Sequence, residues 1–383
     1  MPTIEKQGYK YTEEFGYIPE DWNICNMDDI TKSIASGKSY EFSANGLYNL
    51  YGSTGIIGKT NIAKYDGNYI LVARVGANAG YSYKIKEKCG ISDNTLIIDL
   101  KEKHNINFIF YALKYLNINK LIFGSGQPLI TGSQLKQLRI QVPPLPEQEK
   151  IAEVLGDVDS LIDKTQQLIN KKKDLKTATM QKLLTPKDDW VKSILGEYVR
   201  VQGGYSFNSE KFINNGIPII RISNIYNDDV IIDNETVFYE PINISKEFII
   251  NKGDVLIAMS GATTGKVGMY RYKNQAYQNQ RVGKFVAINK DTAMGYIKQF
   301  LKSHQFINEL NKSIAQGAQP NISSKQIEEI ELVIPSRIEQ EQIATILSDM
   351  DSEIEALEKE LNKYKDLKTG MMQQLLTGKV RLI

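Results

Sequence analysis

Two glycine-rich stretches carry residues whose types and spacing come close to a phosphate-binding loop. The first, YGSTGIIGKT, occupies residues 51–60, and the second, SGATTGKV, occupies residues 260–267. A loop of the form G-x-x-x-x-G-K-[ST] needs its first glycine to turn the backbone amides toward the phosphates. Serine stands there in both stretches, as Ser53 and Ser260, and Val267 replaces the hydroxyl residue that would hold magnesium. We therefore interpret both stretches as glycine-rich turns rather than as nucleotide sites.

Other catalytic signatures are missing from the sequence. The stretch VPPL, residues 142–145, lacks the polar first residue and aromatic last residue of an amino-methyltransferase loop, and no E-x-K tripeptide of a metal-dependent nuclease occurs. His104 and His304 have no cysteine or second histidine nearby, so the sequence predicts no zinc site. A Ser–His–Asp triad stays open, because triads assemble across a fold, but no G-x-S-x-G elbow supports one.

Composition places few limits on the partner and indicates a cytoplasmic protein. The chain has 383 residues and a formal charge of +2, so two or three domains are expected and only local charge can indicate a ligand. Cys25 and Cys89 lie far apart in sequence, which is typical of a reducing compartment. The N-terminal residues have no apolar core of a signal peptide, and the apolar runs are too short to span a bilayer.

The strongest signal is an internal repeat. The stretch EQEKIAEVLGDVDSLI begins at Glu147, and EQEQIATILSDMDSEI begins at Glu339, which is 192 residues later. The same offset relates KDLKTATMQKLLT, from Lys173, to KDLKTGMMQQLLT, from Lys365. Of the 41 aligned positions, 23 are identical. Such similarity marks two copies of one structural unit.

Both copies have the apolar spacing of a long helix with a narrow seam. The seam positions follow steps of four and three over about five heptads. Polar residues occupy the later seam positions of the first copy, which argues against a parallel homodimer and favours antiparallel pairing within one chain. An ordinary amphipathic helix packed on a globular domain is the alternative. The seams run from Ile343 through Leu347, Met350, Ile354, Leu357, Leu361, Tyr364, Lys368 and Met371 to Leu375, and from Ile151 through Leu155, Val158, Ile162, Thr165, Ile169, Lys172, Lys176 and Thr179 to Leu183.

The segments before the helices also correspond. Each opens on Asp-Trp, contains a strand that enters a glycine-rich turn, and ends with a Gln-Pro loop and a strand. The sequence therefore predicts an α+β fold with a pseudo-two-fold internal repeat, in which two globes alternate with two long helices that pair as an antiparallel coiled coil. The predicted boundaries are 1–146 and 188–338 for the globes, and 147–187 and 339–383 for the helices.

Local charge indicates a nucleic-acid surface on each globe. Residues 255–290 contain no Asp or Glu, and residues 67–86 form a weaker counterpart. Basic groups neutralise phosphates, while amide and guanidinium groups hydrogen-bond to base edges. A solvated hairpin face with ordinary cross-strand tyrosines is the alternative. The candidate DNA-binding residues are Lys59, Arg74, Asn78, Tyr81, Tyr83, Lys84 and Gln127 in the first globe, and Lys266, Tyr270, Arg271, Tyr272, Lys273, Gln278, Asn279, Gln280, Arg281 and Gln319 in the second.

The repeated PPLPEQEKIA…LLT helix and the opening GYIPEDW, residues 16–22, carry a family resemblance. The chain resembles the specificity subunit of type I restriction–modification systems over nearly its whole length. YGSTGIIGKTN is similar to segments common in the target-recognition domains of that family. The resemblance implies that each globe reads one half of a bipartite, asymmetric duplex, while the paired helices set the unread gap between the halves.

The resemblance also implies the partners. Two copies of an adenine methyltransferase subunit are expected to dock on the helices, and an ATP-dependent translocase–nuclease subunit is expected to join them. No catalytic residue and no cofactor are expected in this chain, since S-adenosylmethionine, ATP and magnesium belong to those partners. A coiled-coil scaffold whose globes bind proteins is the competing hypothesis, because it explains the helices equally well.

Overall fold

The computed structural model divides into two compact units. Unit 1 comprises Met1–Gln167 together with Glu358–Ile383, and unit 2 comprises Leu168–Leu357. Each unit therefore holds one globe and parts of both long helices. The structure describes residues 7–39, 41–122, 128–226, 228–288, 292–315 and 321–382.

Unit 1 is built around a six-stranded sheet with the strand order β4-β9-β7-β8-β5-β6. All neighbouring strands are antiparallel except β5 and β8, which are parallel. Two separate pairs, β1 with β2 and β3 with β10, complete its strands. The elements are β1 (Tyr9–Thr12), β2 (Gly16–Pro19), β3 (Asn23–Asn26), α1 (Met27–Ile30), β4 (Thr31–Ser36), β5 (Tyr48–Gly52), β6 (Gly55–Thr60), β7 (Tyr65–Ala73), β8 (Ser82–Ile91), β9 (Thr95–Leu100), α2 (Ile106–Leu116), α3 (Gly132–Gln137) and β10 (Arg139–Val142).

The second half of the central strand β7, residues 70–73, is buried on both faces, and its successive side chains alternate between two apolar clusters. Ile70 and Val72 pack in the main core with Phe108 of α2. Leu71 points to the opposite face and packs with Cys89. A strand buried on both sides reads as a continuous apolar run, which accounts for the YILVA stretch of the sequence.

Unit 2 has a different sheet arrangement. Its six-stranded sheet has the order β12-β21-β18-β19-β15-β14, and a four-stranded sheet has the order β16-β13-β20-β17. The strand β11 pairs with β22, as β3 does with β10 in unit 1. The elements are β11 (Val191–Ile194), β12 (Val199–Gln202), β13 (Ile217–Ile220), β14 (Ile225–Tyr226), β15 (Asp228–Val230), β16 (Phe238–Tyr239), β17 (Ile249–Ile250), β18 (Val255–Ala258), β19 (Val267–Met269), β20 (Ala276–Gln278), β21 (Val282–Ala287), α5 (Met294–Phe300), α6 (His304–Ala315), α7 (Ser324–Glu328) and β22 (Glu331–Ile334).

The long helices are α4, which spans Leu145–Leu183, and α8, which spans Arg337–Leu375. The predicted seam positions are the buried or half-buried positions of both helices. Pro146 lies inside the first turn of α4, one residue before the start of the predicted segment 147–187. Proline is tolerated there because the first amides of a helix have no acceptor within the helix.

The helices run antiparallel within each unit. In unit 2, Lys172 contacts Glu353 at 2.6 Å and Lys176 contacts Asp351 at 2.5 Å, so later residues of α4 meet earlier residues of α8. The two lysines of the first seam, Lys172 and Lys176, therefore form ion pairs with α8. In unit 1, Leu375 packs in the same core cluster as Ile151, near the opposite end of each helix.

The short helices α3 and α7 precede β10 and β22, respectively, and begin with the same kind of cap. Thr131 accepts from the amide of Gln134 at the start of α3, and Ser323 accepts from the amide of Gln326 at the start of α7, both at 3.2 Å. Each glutamine also accepts a hydrogen bond from its cap residue, which completes a capping box. Turns of 3₁₀ helix lie at Ile118–Leu121, Leu195–Glu197, Ser209–Lys211, Ile222–Asn224, Lys246–Phe248 and Gly261–Thr263.

Candidate nucleic-acid interface

The first opening motif forms a hairpin. In YGSTGIIGKT, β5 ends at Gly52 and β6 begins at Gly55, so the two strands pair across the turn Ser53–Thr54. Gly55 has a φ of 121°, which only glycine adopts readily. No helix follows this turn, whereas a phosphate-binding loop opens one. The interpretation of this motif as a structural turn therefore agrees with the fold.

The second motif belongs to a turn that occurs in both units. In unit 1 the turn after β7 begins at Gly76, with a φ of 79°, and ends at Gly80, with a φ of 88°. The amide of Gly80 donates to the carbonyl of Ala73 at 2.9 Å, and the amide of Tyr81 donates to the carbonyl of Asn78 at 2.9 Å. Left-handed backbone at both ends explains why glycines bracket the turn.

The turn after β18 in unit 2 repeats this backbone. Gly261 has a φ of 78° and Gly265 a φ of 86°. The amide of Gly265 donates to the carbonyl of Ala258 at 2.8 Å, and the amide of Lys266 donates to the carbonyl of Thr263 at 3.0 Å. The two turns thus share the φ angles of their bracketing glycines and two backbone hydrogen bonds, while their side chains differ.

The segment before each capped helix holds its turn in place. The amide of Ile130 donates to the carbonyl of Arg74 at 2.8 Å, and that of Ile322 donates to the carbonyl of Met259 at 2.9 Å. This second anchor makes each turn a fixed platform. Arg74 is half-buried, and its Nε has no hydrogen-bond partner in the described part of the chain.

Tyr81 and Tyr83 lie together on one face of unit 1. The Tyr81 side chain is 53% exposed, and its ring centre lies 6.0 Å from that of Tyr83. The Tyr83 hydroxyl donates to the carbonyl of Gly52, which ties β8 to the hairpin. Burial first, and then a hydrogen bond to Glu87, raise the pKa of the neighbouring Tyr51 to about 12. The Tyr51 hydroxyl is therefore neutral at physiological pH and donates to Glu87.

Lys84 lies on the opposite face of β8 from Tyr83, because successive strand residues alternate in direction. Its amine donates to Asn107 and lies 4.9 Å from the ring centre of Phe110, both on α2. Burial lowers the pKa of Lys84. The structure therefore does not bring Lys84 together with the tyrosines. Lys59 is exposed on the edge strand β6, and Gln127 and Gln319 lie outside the described residues.

Two candidates in unit 2 are buried side chains of the fold. Tyr270 has no exposed surface, and its hydroxyl donates to the carbonyl of Asn274 at 2.8 Å. Gln278 also has no exposed surface, and its amide donates to the carbonyls of Gln202 and Val282 at 2.7 and 2.8 Å. Their contacts cross-link loops and strands, so neither side chain is available at the surface to reach a duplex.

Arg271 and Tyr272 are partly engaged by their own unit. Arg271 forms a salt bridge with Asp229, and its guanidinium lies 3.7 Å from the carboxylate of Glu355. The hydroxyl of Tyr272 accepts from the amide of Ile232 at 3.0 Å. Arg271 would have to give up a carboxylate contact before its guanidinium could bind DNA.

The remaining candidates of unit 2 form its exposed basic surface. The amine of Lys266 lies 4.9 Å from the ring centre of Tyr226. At the turn between β20 and β21, Asn279 is half-buried and accepts from the amide of Arg281 at 3.3 Å. Four further candidates have exposed side chains: Lys266 after the glycine-bracketed turn, Lys273 between β19 and β20, and Gln280 and Arg281 between β20 and β21.

Tyr205 was missed by the sequence reasoning. Its amide donates to the carbonyl of Gln278 at 2.8 Å, and it bridges to Asn279, which brings it beside the β20–β21 turn. The glycine pair before it in GGYSF is the only local signal. A Cβ on Gly204 would lie 2.1 Å from the carbonyl oxygen of Asn279, so the close approach of the two segments requires glycine.

Neither a metal cluster nor a membrane span is found among the described residues. No three His, Cys, Asp or Glu side chains there are grouped to hold an ion. Within the same ranges, no helix has an apolar stretch long enough to cross a bilayer.

A model of the type I restriction modification DNA specificity domain matches residues 19–172 and again residues 187–364. The chain belongs to the type I restriction modification DNA specificity family. Membership confirms the resemblance carried by the helical repeat and the prediction of a DNA-specificity role rather than a catalytic one. The two matched ranges each contain one glycine-bracketed turn and a large part of one long helix.

Relatives of this family align over nearly the full chain. The type I restriction enzyme MjaVIII specificity subunit of Methanocaldococcus jannaschii is 28% identical, with 95% of this chain and 94% of the relative covered. The putative MjaX specificity subunit of the same organism is 26% identical, with 99% and 98% covered. A crystal structure of a type I restriction–modification S subunit from M. genitalium shares the fold, with a TM-score of 0.67, 19% identity, and 96% and 98% covered.

Proposed function

We propose that this chain gives a type I restriction–modification complex its sequence specificity, with each unit reading one half of a bipartite, asymmetric duplex. The observation that carries the proposal is the pair of glycine-bracketed turns. Their bracketing glycines have nearly equal positive φ angles and the turns share two hydrogen bonds, yet they carry Asn78 and Tyr81 in unit 1 but Thr263 and Lys266 in unit 2. Two turns with a similar backbone but different side chains are suited to binding two different base sequences.

The proposed DNA-binding surface of each unit consists of those candidate residues whose side chains are exposed. In unit 1 it comprises Lys59, Asn78 and Tyr81, and in unit 2 it comprises Lys266, Lys273, Gln280 and Arg281. Arg74, Tyr83, Arg271, Tyr272 and Asn279 support these surfaces from half-buried or internally bonded positions. Lys84 is left out because it faces α2, and Tyr270 and Gln278 because they are buried.

The partners follow from the family role. We infer that segments 147–187 and 339–383 set the unread gap and dock two methyltransferase subunits, while segments 1–146 and 188–338 bind DNA. A restriction translocase–nuclease subunit joins through the methyltransferases. S-adenosylmethionine, ATP and magnesium are bound by those subunits, and the complex works in the cytoplasm.

Methylome sequencing tests this function. The source cell should carry a split adenine-methylated motif that disappears when this chain is deleted and returns when it is supplied again. The assembled complex should then bind a duplex with that motif more tightly than a scrambled one. Survival of every methylated motif after deletion, together with equal binding of both duplexes, would refute sequence reading and favour a scaffold that binds proteins.

A further inference from the structure

A cavity of about 320 Å³ lies in unit 1 between its glycine-bracketed turn and the carboxyl end of α2. Asn78 and Tyr81 line it from the turn. Lys114, Asn117 and Asn119 line it from the end of the helix and the residues that follow. No carboxylate is among the lining residues, so the cavity offers a cation, amide groups and a phenol.

A cavity of about 300 Å³ occupies the same place in unit 2. Thr264 and Lys266 line it from the turn, while Lys302 and Asn311 line it from the segments after α5. Again no carboxylate is among the lining residues. Both cavities therefore have one lysine on the side away from the turn.

The helix-side lysines also correspond in how they are placed. Three residues before each lysine, a side chain donates to an aspartate of a long helix. Tyr111 donates to Asp159 at 2.8 Å in unit 1, and Gln299 donates to Asp351 at 3.2 Å in unit 2. Each of these hydrogen bonds therefore fixes a helix relative to a long helix: α2, which carries Lys114, in unit 1, and α5, which ends two residues before Lys302, in unit 2.

Features that recur in both units suit a task that both perform, and features that differ suit the reading of different bases. The recurring task at any duplex is contact with the sugar–phosphate backbone, which is chemically the same at every half-site. A lysine amine neutralises a phosphate, and amide or hydroxyl groups donate to its oxygens. The carboxyl end of α2 weakly repels an anion, and Lys114 in its last turn offsets that repulsion.

We propose that these two cavities, which we call the phosphate seats, each hold one phosphodiester of the duplex, with Lys114 and Lys302 as the paired cations. The inference rests on the proposed function and adds residues that sequence reasoning missed. The seats anchor the duplex, whereas the varying turn side chains read it.

Salt titration of the assembled complex tests the seats. Binding to a fluorescent duplex carrying the methylated motif is measured from about 50 to 200 mM salt for wild type, Lys114→Gln, Lys302→Gln and the double variant. Each single variant should reduce the slope of log K against log salt by about 0.9, and the double variant by about twice that. Affinity for a scrambled duplex should fall by the same factor.

Two controls keep the result specific. Lys114→Arg preserves the charge and should retain the wild-type slope, and Lys103→Gln removes an exposed lysine that lines neither seat. Unchanged slopes in both Gln variants, with sequence preference intact, would overturn the seats but leave the proposed function standing. A loss confined to the methylated motif would also overturn them, because it would assign the cavities to base reading. Absence of duplex binding by the wild-type complex would instead refute the proposed function.

Discussion

Lys176 donates a hydrogen bond to Asp351 in unit 2, and the residues related to them by the 192-residue offset, Lys368 and Asp159, form the same contact in unit 1. Both salt bridges measure 2.5 Å. The repeat thus preserves a pairwise contact as well as a helical pattern. From Asp159 to Lys176 the chain advances along α4, while their partners go back along α8 from Lys368 to Asp351, so the two contacts together require antiparallel helices.

Removal of one partner should destabilise unit 2. Lys176→Met is expected to lower the free energy of unfolding by about 1–2 kcal/mol, because it removes the cation that pairs with the half-buried carboxylate of Asp351. Solvent screens part of this charge, which keeps the loss small. Urea unfolding measures the effect, and Lys171→Met, at an exposed position of α4, is the matched control. Equal midpoints for the two variants would contradict a stabilising role for the pair.

Acid should weaken the same contact. Burial alone would raise the pKa of Asp351, but hydrogen bonds from Lys176 and Gln299 outweigh burial and hold the pKa below the usual range of an aspartate. A folded-state pKa below the unfolded value means that the stabilisation is present above about pH 4 and is lost as pH falls further. The melting temperature of Asp351→Asn should therefore approach that of wild type as pH drops from 5 to 3, while exposed Asp349→Asn should show no such convergence.

Arg381 should be essential to the stability of unit 1. Glu147 is 4% exposed and accepts from Arg381 at 2.8 and 2.9 Å and from the Trp22 indole at 2.9 Å. Arg381→Met leaves the buried carboxylate without its cation and should cost about 3 kcal/mol. Arg381→Lys should recover part of this, because it restores charge but not the two-pronged contact. A urea midpoint no lower than that of exposed Lys379→Met would disprove the assignment.

The two arginines of the second basic stretch should differ in their effect on DNA binding. Arg281→Ala should weaken binding of the assembled complex by about 1–3 kcal/mol and relax preference at one base if the arginine reads it. Arg271→Ala should have a smaller effect, because its guanidinium already contacts Asp229 and Glu355. Fluorescence anisotropy with the methylated duplex distinguishes them, with Arg200→Ala as an exposed control in the same unit. The reverse order of effects would count against the exposed surface.

Cys89 should be unreactive in the folded protein. Burial first, and then the charges of Glu87 and Asp66, raise the pKa of its thiol to about 12, so almost no thiolate exists at pH 8. In an Ellman titration, the thiol of half-buried Cys25 should react slowly in the native protein, and that of Cys89 should react only in denaturant. The variant Cys89→Ser should remove the denaturant-dependent thiol, and rapid release of both thiols from native protein would rule out this protection.

The helices and the glycine turns were predictable because their signals are local. A heptad seam repeats every seven residues, and glycines at fixed spacing mark left-handed backbone. The candidate DNA-binding surface was predicted less well, because its residues were chosen by type from continuous stretches of sequence, which do not show the side of the fold that each side chain faces. Tyr83 and Lys84 are adjacent in sequence but face opposite sides of β8, and the burial of Tyr270 depends on strands far along the chain. Lys114 joins the turn near Asn78 only through folding.

The discontinuity of unit 1 has a consequence for synthesis on the ribosome. Its last segment, Glu358–Ile383, is translated after the whole of unit 2, which is one unbroken stretch of chain. Unit 2 can therefore complete its core while the nascent first globe still lacks Leu375, Leu376 and Arg381. Until Glu358–Ile383 has been made, Glu147 lacks Arg381, and the apolar surface around Ile151 lacks Leu375. The globe that is made first therefore completes its core last, and a chaperone would protect that part of the nascent chain.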